Sequence, residues 1–279
     1  MRTVIPILLY HSISSDTASG FRTWSLAPER FESHMRYLHD ERYTPLTVSE
    51  LVHELRGARR LPAKPIVISF DDGLSDFYSG AFPALKKYGM PSTLYVVSGC
   101  VGSTSRWLVT EGESQRSMLS WRQLRELDRA GVEIGAHSHS HPQLDTLPSS
   151  EAWSEILLSK CQIEDHLGHR VESFAYPHGY HSAHVRGLVQ QAGFSSACAV
   201  KHAFSACDDD PFSLARIVVT NEITVAQLDR LLHGGKLQIA PRYELIRTRM
   251  WRLTRRSLRL SQRLIEWIGA QPEQLQNPL

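Results

Sequence analysis

Apolar and polar positions along the chain fall into short apolar runs separated by longer stretches of helical periodicity. The runs Ile5–Tyr10, Ile66–Phe70, Thr93–Val97, Val132–Ala136, Ser173–Tyr176 and Arg216–Val219 are rich in Val, Ile and aromatic residues. They lack strict alternation, which predicts strands buried on both faces. Between them, Pro28 opens a predicted helix through His39, and Trp121–Ala130 stops at Gly131. Ser149 or Ser150 is placed to cap a long helix that ends at Gly168. Strands alternating with helices predict an α/β fold, a parallel sheet or barrel with helices outside. In such barrels the functional residues sit where strands end and loops begin.

The 279 residues suit one large domain, long enough to bury its core without disulfides. Cys100, Cys161, Cys198 and Cys207 form no CxxC pair, the usage of reduced thiols in a cytosolic protein. The apolar run Val4–Tyr10 leads straight into His11 and Ser12 with no small-residue cleavage site. No apolar stretch approaches the ~20 residues that span a bilayer. The expectation is a cytoplasmic protein that begins in a buried strand.

Charge divides the chain unevenly. From Arg242 to the end stand eight Arg against three Glu, whereas the whole chain carries only +2. A mildly acidic body with a basic tail is unlike a nucleic-acid-binding domain and fits an enzyme with an appended segment. The break falls between Gly234-Gly235 and Pro241, so the expected organisation is a catalytic domain over 1–240 and a tail over 241–279.

Four segments could carry chemistry. Phe70-Asp71-Asp72-Gly73 puts two adjacent carboxylates at a strand end, costly to bury without a cation. A nearby metal would remove their repulsion, leaving one as ligand and one as free base. His137-Ser138-His139-Ser140-His141-Pro142 follows another strand, and one helical turn would bring His137 and His141 to one side. Imidazole with carboxylate suits zinc or another divalent transition metal. His139 lies between the two and is expected to point elsewhere. Phe174-Ala175-Tyr176-Pro177-His178-Gly179 ends a strand in a tight turn whose backbone N–H groups could face an oxyanion. Ile7-Leu8-Leu9-Tyr10-His11 ends an apolar run in a histidine, which gains weight only from company.

Together these segments resemble the polysaccharide deacetylases, the NodB-type carbohydrate esterase family, from about Val4 to His233. That resemblance implies a distorted (β/α) barrel. In the family a strand-terminal Asp-Asp supplies base and metal ligand, matching Asp71 and Asp72, and an H-[ST]-x-x-H-P motif supplies two more ligands, matching His137 and His141. Most members carry Arg in the third motif to tether the base; here that position is Ala175, and Arg216 is the candidate replacement. Most also carry a late L-x-x-H motif with the general acid. Leu231-Leu232-His233 ends a helical pattern, whereas Leu8-Leu9-Tyr10-His11 ends a strand, as in the circularly permuted branch that acts on poly-N-acetylglucosamine exopolysaccharides.

The resemblance implies a metal-dependent hydrolase that removes N-acetyl groups from amino sugars of a polysaccharide, oligosaccharide or lipid-linked glycan. Asp72, His137 and His141 would hold the metal, with Zn2+ the choice on ligand type. Asp71 would be the base and His11 the acid, with His233 as alternative; His178 and Tyr176 would face the oxyanion and substrate. An O-acetyl esterase, a hydrolase of non-sugar C–N bonds, or a catalytically silent glycan-binding protein are the competing readings.

In the tail, Ile246, Met250, Leu253, Leu260, Leu264 and Trp267 recur at three- or four-residue steps, widened by Trp251, Leu258 and Ile265. Arg247, Arg249, Arg252, Arg255, Arg256, Arg259 and Arg263 occupy much of the rest. This amphipathic C-terminal helix either packs on the barrel with a charged outer face or lies on a membrane surface.

Overall fold

The computed structural model describes residues 4–57, 61–233, 237–241 and 246–269, the last eight by backbone alone. Its centre is an open half-barrel of parallel strands. In chain order these are β1 (Ile7–Tyr10), β2 (Thr44–Leu46), β3 (Pro65–Phe70), β4 (Ser92–Val96), β5 (Val132–Ala136), β6 (Ser173–Ala175), β7 (Ser196–Cys198) and β8 (Ile217–Val218). Seven of them follow the order β7-β6-β5-β4-β3-β1-β8, and β2 runs beside the first half of β3. The first strand of the half-barrel therefore sits inside the sheet, with Leu8 level with Ile68 on one side and Ile217 on the other.

The six apolar runs all form strands. The run Ile5–Tyr10 is divided at Pro6, which has no N–H to give to a ladder; Val4–Ile5 instead pairs antiparallel with Ser205–Ala206. Strands β2 and β7 escape the sequence pattern, because Thr-Pro-Leu and Ser-Ala-Cys are too short and too small to read as apolar runs.

The helices are α1 (Pro28–Asp40), α2 (Val48–Arg56), α3 (Phe82–Lys87), α4 (Trp121–Arg129), α5 (Ser149–Leu167), α6 (Ala183–Gln191), α7 (Val225–His233) and α8 (Ile246–Gly269). Capping boxes, Thr47 with Glu50 and Ser120 with Gln123, start α2 and α4. The start of α5 differs from expectation. Ser149 is already helical, Pro148 is the N-cap, and no side chain caps the end. Its other end stops at Gly168, whose φ of 80° suits glycine. The expected break at Gly234-Gly235 lies outside the described residues.

Strand alternation sorts side chains into two layers. Facing the helices are Ile66, Ile68 and Phe70 of β3, Leu94 and Val96 of β4, Val132, Ile134 and Ala136 of β5, and Phe174 of β6. They pack against Phe31, Met35 and Leu38 of α1, Leu124 and Leu127 of α4, and Ile156 and Ile163 of α5. Facing the barrel interior are Ile7, Val67, Tyr95 and Ala175, closed from below by Val48, Leu51 and Val52 of α2. Glu133 reaches this inner face and ties α2 to the sheet, accepting from Ser49 Oγ (2.5 Å), Thr93 Oγ1 (2.7 Å) and Ser173 Oγ (2.7 Å). Above that floor the interior turns polar.

Helix α8 packs on the barrel in the reverse sense of an amphipathic cover. Arg255 is buried and binds Asp145 through two bonds of 2.8 and 2.7 Å, with its guanidinium 3.7 Å from the Tyr180 ring centroid. Arg256 donates to the Asp145 carbonyl (2.7 Å), Arg259 to Thr146 Oγ1 (3.1 Å) and Trp251 Nε1 to the Tyr180 hydroxyl (3.3 Å). Arg255, Arg256 and Arg259 reach inward, whereas Arg247 and Arg249 are exposed together with Ile246, Met250, Leu253, Leu258 and Leu260. The outer face is therefore apolar as well as charged, because the buried Asp145 carboxylate draws Arg255 to the barrel side. The side chains of Arg263, Leu264, Ile265 and Trp267 lie outside the described residues.

Candidate metal centre

The inner layer of the strands converges at their carboxyl ends, as the barrel rule requires. Counting by twos along β3, Val67 and Ser69 point inward and Asp71 is next, just past the strand end. Its N–H donates to the Tyr10 carbonyl (3.1 Å), which holds it beside the end of β1. By the same parity His11 follows Ile7 and Leu9, and His137 follows Glu133 and Gly135. Gly135 is needed on that inner face, since a Cβ there would lie 2.5 Å from the Tyr95 ring.

Asp72 would point outward if the strand continued. Instead it takes φ 76° and Gly73 takes φ 81°, a left-handed turn that brings the Asp72 carboxylate back over the barrel mouth. There Asp72 Oδ1 lies 3.7 Å from His137 Nε2 and 3.4 Å from His141 Nε2. The two histidines do not meet through a helical turn, as the spacing suggested. Ser138 (φ 62°) and His141 (φ 66°) instead fold the segment into a loop, with His141 N–H donating to Ser138 Oγ (3.0 Å). One ligand atom from each of Asp72, His137 and His141 falls within 4.8 Å of the others, all three residues buried.

This set fits a divalent cation. His137 Nδ1 donates to the Ala175 carbonyl (2.8 Å), which fixes the tautomer and leaves the Nε2 lone pair for a metal. Burial, and then the neighbouring Asp71 carboxylate, push Asp72 well above the usual carboxylate range. Burial, with His137 beside it, holds His141 well below the usual imidazole value and so unprotonated. A cation at this point would stabilise the ionised carboxylate and use the two imidazole lone pairs.

Arg216 stands just before β8, level with Ile7, and its side chain runs up through the interior. Its Nε donates to the Ala199 carbonyl (3.1 Å), and its fork grips Asp71 at 2.6 and 2.7 Å. The guanidinium is fully buried. Burial alone would raise the Asp71 pKa, but the charge of Arg216, then His137 and the Arg216 hydrogen bonds, bring it below the usual carboxylate range. The place that Ala175 leaves without a tether is thus filled from another strand.

His11 ends β1 against the Trp24 ring, with centroids 5.1 Å apart. Its Nδ1 is buried and makes no hydrogen bond among the described residues. Burial lowers its pKa to about 4, Asp71 opposes that shift, and Arg216, His137 and His178 reinforce it. His178, at φ 56°, brings its ring 4.6 Å from that of His141. His233 is elsewhere: it ends α7 bonded to Asp229 (3.0 Å) and rests on Tyr43, at the amino edge of the sheet just before β2. Tyr176 must also be corrected. Strand parity turns it outward, its hydroxyl donates to the Phe212 carbonyl (3.0 Å) and its N–H to Cys198 (3.1 Å), so neither faces substrate.

Sequence reasoning missed the residues that hold this site from a distance. Glu155 of α5 accepts from the His139 and Ser140 N–H groups (3.0 and 2.7 Å) and pins the histidine loop. His139 itself points to Ser98 and Gln162. Trp107 stacks on His141 with centroids 4.8 Å apart. None of these carries a local signature.

Comparison with known proteins agrees with this architecture. The family model for polysaccharide deacetylase matches residues 58–197, half of the chain. The Bacillus subtilis protein YxkH, whose name places it in the same family, is 28% identical over 216 residues, covering 77% of this chain and 71% of that protein. The poly-beta-1,6-N-acetyl-D-glucosamine N-deacetylase of Staphylococcus aureus is 23% identical over 217 residues, 74% of this chain and 71% of its own. The structure of the Streptococcus pyogenes deacetylase PplD in complex with acetate superposes with a TM-score of 0.73 at 23% identity, over 84% of this chain and 100% of that one. A parallel half-barrel with an Asp-His-His centre defines a class of hydrolase. The chain belongs to the polysaccharide deacetylase family.

Proposed function

We propose that the protein is a Zn2+-dependent N-deacetylase acting on amino-sugar polymers of the poly-N-acetylglucosamine kind. The observation that carries this reading is the buried Asp72–His137–His141 cluster beside a second carboxylate, Asp71, which Arg216 keeps ionised. The Staphylococcus aureus relative's named substrate supports the choice of polymer, and the ligand types support zinc.

Asp72, His137 and His141 would hold the metal. When bound, it polarises the acetyl carbonyl and makes water a better acid. Asp71, poised as a base, takes a proton from the water that attacks the acetyl carbon. Arg216 keeps both Asp71 oxygens in place. It also keeps that carboxyl ionised in spite of burial. The backbone N–H of His178, in its tight turn, faces the oxygen on which negative charge gathers. His11 delivers a proton to the leaving nitrogen, without which an amine is a prohibitively poor leaving group. Burial keeps His11 neutral at rest, so the proton it delivers is the one Asp71 has taken from water, passed on as the negative charge that develops beside His11 raises its proton affinity. Trp24 and Trp107, flanking the two histidines, offer aromatic faces to the sugar ring.

The test is acetate release from N-acetylglucosamine oligomers, with chelator and with Zn2+ restored. Release should need the metal, and Asp71→Asn should lower it at least about a thousandfold while zinc stays bound at one per chain. Loss of zinc in that variant would exchange the roles of Asp71 and Asp72. Metal-replete wild-type protein that releases no acetate from any N-acetylated glycan would overturn the reading.

A further inference from the structure

We propose that α8 docks the protein on an anionic lipid bilayer, lying flat with its outward apolar row in the interface. The row follows from how the helix is held. Arg255, Arg256 and Arg259 bind Asp145 and Thr146, and Trp251 binds Tyr180, so one side of α8 is fixed to the barrel. At 100° per residue the opposite side carries, with Ser257 between the last two, Ile246, Met250, Leu253 and Leu260. These are 82%, 60%, 50% and 68% exposed, and Leu258 on the flank is 58% exposed. A globular protein does not ordinarily leave this many large apolar side chains on one side of a helix in water.

Charge identifies the occupant. Exposed Arg247 borders the row on one side and exposed Arg249 on the other. The helix sequence holds seven Arg and a single acid, Glu266. A second copy of α8 packed on the row would set these arginines against their own mates with almost no acid to pair them. A bilayer rich in phosphate headgroups instead meets both parts: acyl chains accept the row, and the anionic surface attracts the flanking guanidinium groups. Among the described residues no helix is long and apolar enough to cross a membrane, so α8 lies on the surface.

The docking is coupled in space to the candidate metal centre. Asp145 and Gln143, both bound by Arg255, follow His141 in one loop. Tyr180, beneath the Arg255 guanidinium, follows His178 in another. The helix that meets the lipid therefore clasps two loops that carry site residues, and the barrel mouth is carried to the bilayer edge. A glycan chain growing at a membrane is the substrate such a placement serves.

The experiment is co-sedimentation of the full chain with vesicles of phosphatidylglycerol and phosphatidylcholine mixed equally, against phosphatidylcholine alone. Binding should be at least tenfold tighter to the anionic vesicles and weaken with salt. Met250→Asp combined with Leu253→Asp should reduce it at least tenfold with an unchanged thermal midpoint. Should that variant unfold, Arg247→Gln with Arg249→Gln keeps the row and should lower the anionic preference severalfold. Equal partition of wild-type protein onto both vesicles, or no binding, overturns the proposal. So does a wild-type dimer that the aspartates dissolve while vesicle binding is unaffected, which would assign the row to a second copy. None of these readouts depends on acetate release, so failure here and failure of the deacetylase reading are separable.

Discussion

Two buried arginine–carboxylate pairs, Arg216–Asp71 and Arg255–Asp145, have almost the same geometry and opposite surroundings. Each is a two-pronged contact, at 2.6 and 2.7 Å in the first and 2.8 and 2.7 Å in the second. Arg216 reaches Asp71 from within the barrel, its Nε spent on Ala199, and Asp71 has a second carboxylate and His137 beside it. Arg255 reaches Asp145 from helix α8, gripping Gln143 on the way, with Arg256 on the Asp145 main-chain carbonyl and no second carboxylate or histidine in an ion pair with Asp145 among the described residues. Fork geometry reports that two groups are held in place. What they are held for comes from the neighbours, and only Asp71 faces a site where a proton could be taken up.

Removing each arginine should separate these roles. Arg216→Met strands the Asp71 charge in the interior, with a stability loss of about 3–5 kcal/mol in urea or thermal unfolding. Acetate release should fall at least about a hundredfold, because the base is no longer aimed. Since Arg216 holds Asp71 below the usual carboxylate range, its loss raises that pKa. The base must be ionised, so the acid limb of kcat/KM in the surviving activity should move to higher pH. Arg216→Lys restores charge without the fork; it should recover stability more than rate. An unmoved acid limb in both variants would remove Arg216 from the positioning role.

Asp145→Asn is the matching change at the other pair. It should cost about 2 kcal/mol, a loss the size of one charge-assisted contact, as α8 loosens from the barrel. Acetate release from soluble oligomers should stay within about threefold of wild type, because no reacting atom touches Asp145. A loss as large as that of Arg216→Met would show that the loops under α8 govern the site directly.

A third buried contact sets the scale for both. His34 is fully buried, with the Tyr10 hydroxyl on Nδ1 (3.2 Å) and its Nε2 on the Ile223 carbonyl (3.0 Å). Burial lowers its pKa to about 4. The neutral form is therefore favoured in the folded state, so its contribution is complete above the unfolded value near 6.5 and is lost as pH falls toward 4. Between pH 7.5 and 5.5 it should account for about 1 kcal/mol of lost stability, which His34→Gln should remove from the pH slope of the thermal midpoint. A slope unchanged by that substitution would place the acid sensitivity in the other buried histidines.

Which parts of this were legible in the residues follows from how local each signal is. Asp71-Asp72 and His137-x-x-x-His141 declare themselves, because cation binding restricts residue type and spacing within a few positions. Arg216 was legible only indirectly, as a function left vacant by Ala175, since its partner is 145 positions away. Strand parity could have excluded Tyr176, which shares the outward face of Phe174, while retaining His11, Asp71 and His137 on the inward one. Glu155, Trp107 and Asp145 act across the fold and leave no trace in spacing. The tail shows the same limit: its amphipathic period was plain, but not which side the barrel would take. That depended on one buried carboxylate in a distant loop.

The position of β1 inside the sheet bears on how the chain is made. Ile7–Tyr10 precedes the other strands of the half-barrel in the chain and can find β3 early, yet its other edge is completed by β8 only roughly 200 residues later, a separation that slows pairing. His11 is thus made well before Arg216, which follows it only after most of the half-barrel strands. Until then Asp71 has no buried counterion, and the half-made barrel keeps an open strand edge. Nascent chains stalled before residue 216 should depend on a chaperone or remain loosely closed, and the arginine that orients the site would also be the group whose arrival lets the barrel shut.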